Sequence, residues 1–116
     1  MSNTHSYIED ERNQSIYINI NGSLIKRHEA KISVFDSGFL LGDGVWEGIR
    51  LYNNQLVFKK EHLKRLFYGI KKLEIEMPIT IDELEKNIIK TIEANNMHTD
   101  VHIRVIVTRG IKKTPY

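Results

Sequence analysis

Three clusters of side chains in this sequence carry groups suited to holding an anion or a small polar ligand. The first is Gly42-Asp43-Gly44-Val45-Trp46-Glu47-Gly48-Ile49-Arg50, where a turn rich in glycine feeds a strand. On a strand, alternate residues share a face, so Trp46, Gly48, Arg50 and Tyr52 stand together, opposite Val45, Glu47, Ile49 and Leu51. An aromatic, a glycine and an arginine side by side suit a small substrate lying against backbone, with Gly48 leaving room between its neighbours. A hairpin bulged at Gly48, with Arg50 pointing to solvent, fits the same residues. The second cluster is Glu61-His62-Leu63-Lys64-Arg65-Leu66. There the planar guanidinium of Arg65 can take a phosphate with two parallel hydrogen bonds, helped by the positive end of a helix. For one arginine among lysines, a solvated helix face is the more ordinary reading. The third is His102 and Arg104 on the less apolar face of the last strand: two donors for a carboxylate, or charged decoration that protects a sheet edge.

Other chemistries find no residues to carry them. His5, His28, His62, His98 and His102 form no helical i, i+4 pair and no motif with metal-ligand spacing. No G-x-S-x-G elbow, Walker loop or dinucleotide fingerprint is present, and the chain has no cysteine, which removes thiol nucleophiles, thiolate metal sites and disulfides. With 17 Lys plus Arg against 15 Asp plus Glu, the net charge of +2 is small for a nucleic-acid binder. Lys59, Lys60, Lys64, Arg65, Lys71 and Lys72 fall largely on the solvent side of one helix, so neither nucleic acid nor membrane is expected as a partner. No apolar run approaches the roughly 20 residues that span a bilayer. The polar start of the chain lacks the apolar segment of a signal peptide, and the expected address is the cytoplasm.

The elements that must position these groups are legible as hydrophobic periods. Residues 1–14 read as a flexible arm and residues 15–116 as one small domain. Ile16, Ile18 and Ile20 alternate up to Asn21-Gly22, a hairpin turn, and a short strand through Leu24 and Ile25 follows. A strand over 45–52 turns at Asn53-Asn54 into a second over 55–58. Leu63, Leu66, Phe67, Ile70 and Leu73 place an apolar stripe on a helix from about Lys60 to Glu74. Thr80 with Glu83 forms a capping box for a second helix running to about Asn95. Val101, Ile103, Val105 and Val107 then alternate through a final strand. The expected fold is α+β: an antiparallel sheet with two helices packed on one face.

Taken in order, these segments resemble the fold-type IV pyridoxal-phosphate enzymes, the class IV aminotransferases of the branched-chain and D-amino acid kind together with aminodeoxychorismate lyase. The run Val34-Phe35-Asp36-Ser37-Gly38-Phe39-Leu40-Leu41-Gly42-Asp43-Gly44 and on through Tyr52 carries the resemblance, with Glu61 to Leu66, Val101 to Arg104 and Val107-Thr108-Arg109-Gly110 behind it. The resemblance implies the amino-terminal small domain of such an enzyme, exchanging an amino group between an amino acid and a 2-oxo acid. It assigns Arg65 to the phosphate of pyridoxal 5'-phosphate. Leu41, Trp46, Gly48, Arg50, His102 and Arg104 fall at positions lining the substrate pocket, Gly48 as its open floor. His102 stands where the branched-chain branch often has tyrosine, and Leu41 where it has an aromatic. The Arg and His with which the D-amino acid branch traps a carboxylate are replaced by Ile111, Lys112, Lys113 and Thr114. The lysine that carries the cofactor and the acid that pairs with its ring nitrogen belong to a carboxy-terminal domain, so this portion is expected to be inactive alone, and the complete enzyme to be a homodimer. A stand-alone, noncatalytic module binding an anion or a partner through Trp46, Arg50 and Arg104 is the alternative.

Overall fold

A computed structural model describes residues 8–113. Two hairpins whose turns need left-handed backbone begin the architecture. Strands β1 (Tyr17–Ile20) and β2 (Ser23–Lys26) pair antiparallel through Asn21 and Gly22, at φ 54° and 89°. Asn and Gly tolerate that region best, and the Asn19 side chain accepts the Gly22 N–H at 2.8 Å. A five-residue helix, α1 (Ser37–Leu41), follows. Strand β3 (Gly44–Tyr52) then turns through Asn53 and Asn54, at φ 48° and 63°, into β4 (Gln55–Leu56). Helices α2 (Lys59–Lys72) and α3 (Ile81–Ala94) come next, and β5 (Val101–Thr108) closes the fold.

The α+β class and the antiparallel pairing agree with the expectation, but the strands are divided between two sheets. Among the described residues β1 and β2 pair only with each other, while β4, β3 and β5 form a three-stranded sheet with β3 central. What holds the first hairpin is side-chain amide chemistry: Asn95, which caps the carboxy-terminal end of α3, accepts the Tyr17 N–H at 2.7 Å and donates to the Tyr17 carbonyl at 3.0 Å. Asn19 reaches Thr91 on the same helix at 3.0 Å.

The core lies between the three-stranded sheet and the helices. Ile49 and Val105 of the sheet meet Leu63, Leu66 and Ile70 of α2 and Ile88 of α3, with Ile49 wholly inaccessible. Burying a side chain of that size contributes about 1.5–3 kcal/mol. The capping box of α3 is complete, with Thr80 and Glu83 each holding the other's backbone N–H at 3.1 Å. Two boundaries differ from the expectation. The fourth strand ends at Leu56 because Phe58 takes φ 54° and turns the chain into α2, and that helix stops at Lys72, with Glu74 at φ 55°. Of the expected arm, residues 1–7 lie outside the described residues. Arg12 binds Asp10 and donates to the carbonyls of Thr99 and Asp100 at 2.8 and 2.9 Å.

Candidate functional site

The register of β3 against β5 joins the first and third clusters. Trp46 pairs with Ile106, Gly48 with Arg104 and Arg50 with His102, without an interruption from Gly44 to Leu51. There is thus no bulge at Gly48. Because partners on adjacent strands share a face, Trp46, Gly48, Arg50, His102 and Arg104 occupy one surface of the sheet, away from the core. Arg104 stacks on Trp46, its Cζ 4.6 Å from the ring centroid, and Arg50 lies 5.2 Å from the ring of Tyr52. Arg50 also meets Asp100 at 3.4 Å, whereas among the described residues Arg104 has no carboxylate partner.

The floor at Gly48 is not open. A methyl group built there would lie 2.7 Å from Cε1 and 2.8 Å from Nε2 of His102, so the imidazole already rests on the glycine. Only the missing Cβ permits that approach, and what the surface presents is an imidazole between two guanidinium groups. Leu41 is not on this sheet face. It ends α1 and is exposed, with Phe39 and Leu40 beside it in the helix and Val34, Phe35 and Ile111 nearby in apolar, exposed character.

Arg65 is organised by a residue that sequence reading left without a function. Glu47 points inward with Ile49 and Leu51 and is only 6% exposed. Both its oxygens accept from Arg65, Oε2 from Nε and Oε1 from Nη2, each at 2.8 Å. Nδ1 of His62 lies 2.6 Å from Oε1. The hydrogen bond from Arg65 holds the Glu47 carboxyl below the usual carboxylate range, burial opposes this, and the bond from His62 adds to the lowering. An ionised carboxylate only accepts, so in this contact Nδ1 of His62 is the donor. Arg65 itself stays 71% exposed. The expected help from the helix terminus does not reach it, because Arg65 is the seventh residue of α2 and that field fades within the first turn.

Close approach of α2 to β3 makes the pairing possible. Gly69, one turn beyond Arg65, packs so near Val45 that an added Cβ would meet Val45 Cγ1 at 2.9 Å. A second fork fixes the turn before β3. Arg109 holds Asp43 through Nε at 2.6 Å and donates to the carbonyls of Leu73 and Glu74 at the end of α2. Its guanidinium keeps the Asp43 carboxyl below the usual range. Among the described residues no three His, Asp or Glu are grouped to hold a metal ion. A concavity of about 700 Å³ lies between the β4 turn and α3, apart from all of these residues.

The domain is α+β, with an arginine held by a buried carboxylate and, on the outer face of β3 and β5, a group of aromatic and cationic side chains. The chain belongs to the class IV aminotransferase family, whose profile matches residues 44–115. It is 44% identical over 94 residues to a putative branched-chain-amino-acid aminotransferase of Methanocaldococcus jannaschii, covering 81% of this chain and 32% of that protein. A D-alanine aminotransferase of Listeria monocytogenes is 33% identical over 93 residues, covering 80% of this chain and 32% of the relative. The solved branched-chain aminotransferase of Thermoproteus uzoniensis with norvaline superposes at a TM-score of 0.77 and 29% identity, over 87% of this chain and 36% of its own. A second solved branched-chain amino acid aminotransferase, complexed with N-(5'-phosphopyridoxyl)-L-glutamate, gives 0.76 and 32% identity, over 85% and 34%. The chain thus spans about a third of the length of these two relatives. No helix among the described residues is long and apolar enough to cross a membrane.

Proposed function

We propose that this chain supplies the small domain of a pyridoxal-phosphate-dependent aminotransferase, contributing one phosphate ligand and one wall of the substrate site, and that it has no activity alone. The observation that carries this reading is the state of Arg65. Its Nε and one Nη2 hydrogen are committed to Glu47, which leaves the Nη1 and Nη2 edge for a second, outward fork. That edge fits a phosphate group, and a phosphopyridoxyl group is what the second solved relative contains. When bound, pyridoxal phosphate supplies the electron sink for chemistry at the carbon bearing the amino group.

This chain's residues bind and orient. Arg65 holds the phosphate, Trp46 walls the substrate, and Arg50, His102 and Arg104 offer donors to a carboxylate of the amino acid or 2-oxo acid. Leu41 stands at the rim. No lysine in the chain occupies the position at which the family attaches its cofactor, so proton transfer at the substrate carbon needs residues beyond those present. The exposed apolar side chains of Phe39, Leu40, Leu41 and Ile111 suit burial against the remaining two-thirds of the fold, in a homodimer in the cytoplasm. In the protein isolated from its source, Arg65→Lys removes the planar fork and is expected to raise the cofactor concentration for half-maximal amino-group exchange at least roughly tenfold. An unchanged requirement would overturn the assignment of Arg65. Exchange catalysed by the 116-residue chain alone would overturn the claim of inactivity.

A further inference from the structure

Nothing in the proposed chemistry calls for a carboxylate at position 47, and the neighbours of Glu47 on its strand face, Val45, Ile49 and Leu51, are apolar. A buried charge is unfavourable unless paired and hydrogen-bonded, and an apolar residue would pack there without that penalty. What the carboxylate provides is geometry. The side-on fork to Nε and Nη2 fixes the plane of the guanidinium, and His62 fixes the carboxylate in turn through Oε1. An arginine on an exposed helix surface otherwise samples many rotamers. We infer that Glu47, braced by His62, is a positioning residue that presets Arg65 for anion capture. The inference rests on reading Arg65 as a phosphate ligand, and goes beyond it by assigning a function to the residue behind.

The opposite role is physically available, since a carboxylate beside the arginine also cancels its charge and repels a phosphate. The two roles differ in sign. As a positioning group, Glu47 spares the ligand the rotamer entropy of an arginine, about 2 kcal/mol, which corresponds to roughly thirtyfold in affinity. As a competitor, its removal strengthens binding.

The test is nuclear magnetic resonance of the whole 116-residue chain, following the Arg65 Nε–H and titrating with inorganic phosphate. In the unaltered chain the Arg65 Nε–H is expected to exchange with water more slowly than that of Arg104, which has no carboxylate partner among the described residues, and the Arg65 signals are expected to shift with phosphate. Glu47→Gln, which keeps shape but not charge, and Glu47→Asp, which keeps charge but not reach, are both expected to weaken phosphate binding by about ten- to thirtyfold. An Arg65 Nε–H as labile as that of Arg104 overturns the inference without any variant, so a failure of either variant to fold leaves it decidable. Phosphate binding that is undiminished or stronger in Glu47→Gln overturns the role of Glu47 alone. A slowly exchanging Nε–H with no response to phosphate overturns the phosphate reading of Arg65, and this role with it.

Discussion

Replacing Gly69 by alanine probes the contact that sets the height of α2 above β3. The new Cβ would lie 2.9 Å from Val45 Cγ1, against 3.5–4.0 Å for carbon atoms at ordinary contact. Valine is short and stiff at χ1, so the helix or the strand must yield, and such overpacking typically destabilises by about 1–3 kcal/mol. Alanine in a helix interior returns about 1 kcal/mol over glycine. The net expectation is a loss of about 1 kcal/mol, or about 4–8 °C in the melting temperature of a domain this small. The decisive comparison is made in Val45→Ala. With both γ-methyls gone, the nearest atom of residue 45 is its Cβ, at 3.5 Å, an ordinary contact. Gly69→Ala then stabilises by up to about 1 kcal/mol, so the coupling between the sites is about 1–3 kcal/mol. Urea unfolding of the four proteins, followed by circular dichroism, measures it. An effect of Gly69→Ala that is the same in both backgrounds would refute the reasoning.

The remaining expectations concern the two sites directly. The pKa of Glu47 is lowered by folding, so its pairing stabilises the native state above the ordinary glutamate value, and that contribution is lost as the pH falls through the lowered one. Melting temperatures from about pH 6 to about pH 3 should therefore fall more steeply for the unaltered chain than for Glu47→Gln; parallel curves would contradict the assignment. Gly48→Ala should push the His102 ring off the sheet, since the clash is with the far end of an exposed side chain, and change overall stability little; unmoved imidazole proton resonances would contradict the packing. Trp46 is the single tryptophan of the chain and lies under Arg104. Iodide should quench its fluorescence more than neutral acrylamide predicts, an excess that Arg104→Met removes; an excess that persists would place the attracting charge elsewhere.

Much of the scaffold was legible because its signals are local. Asn21-Gly22 and Asn53-Asn54 take positive φ as their residue types suggest, and the Thr80 and Glu83 capping box forms as the spacing requires. Helix α1 was not legible: five residues are too few for a periodic pattern, even with the Asp36 carboxylate accepting the Gly38 N–H at 2.8 Å as its cap. Periodicity also could not divide the strands between two sheets, since the docking of β1 rests on Asn19 and Asn95, polar residues remote in sequence. Strand alternation placed Trp46, Gly48 and Arg50 on one face and His102 and Arg104 on one face, but only the register brings the faces together. The imidazole over Gly48 follows from that register. Glu47 did leave a signal, a charge on the apolar side of an alternating strand. Its partners His62 and Arg65 lie 15 and 18 residues on, in another element, where spacing has no power to find them.

The measurement that tests the central claim most directly is the intact mass of the protein as it occurs in its source, taken together with its visible absorbance. A mass more than double the 13.6 kDa of this chain, with a yellow colour bleached by borohydride, is the result expected of an aminotransferase whose small domain this is. A colourless protein of 13.6 kDa would contradict it, and would leave Trp46, Arg50 and Arg104 as the anion-binding face of a noncatalytic module.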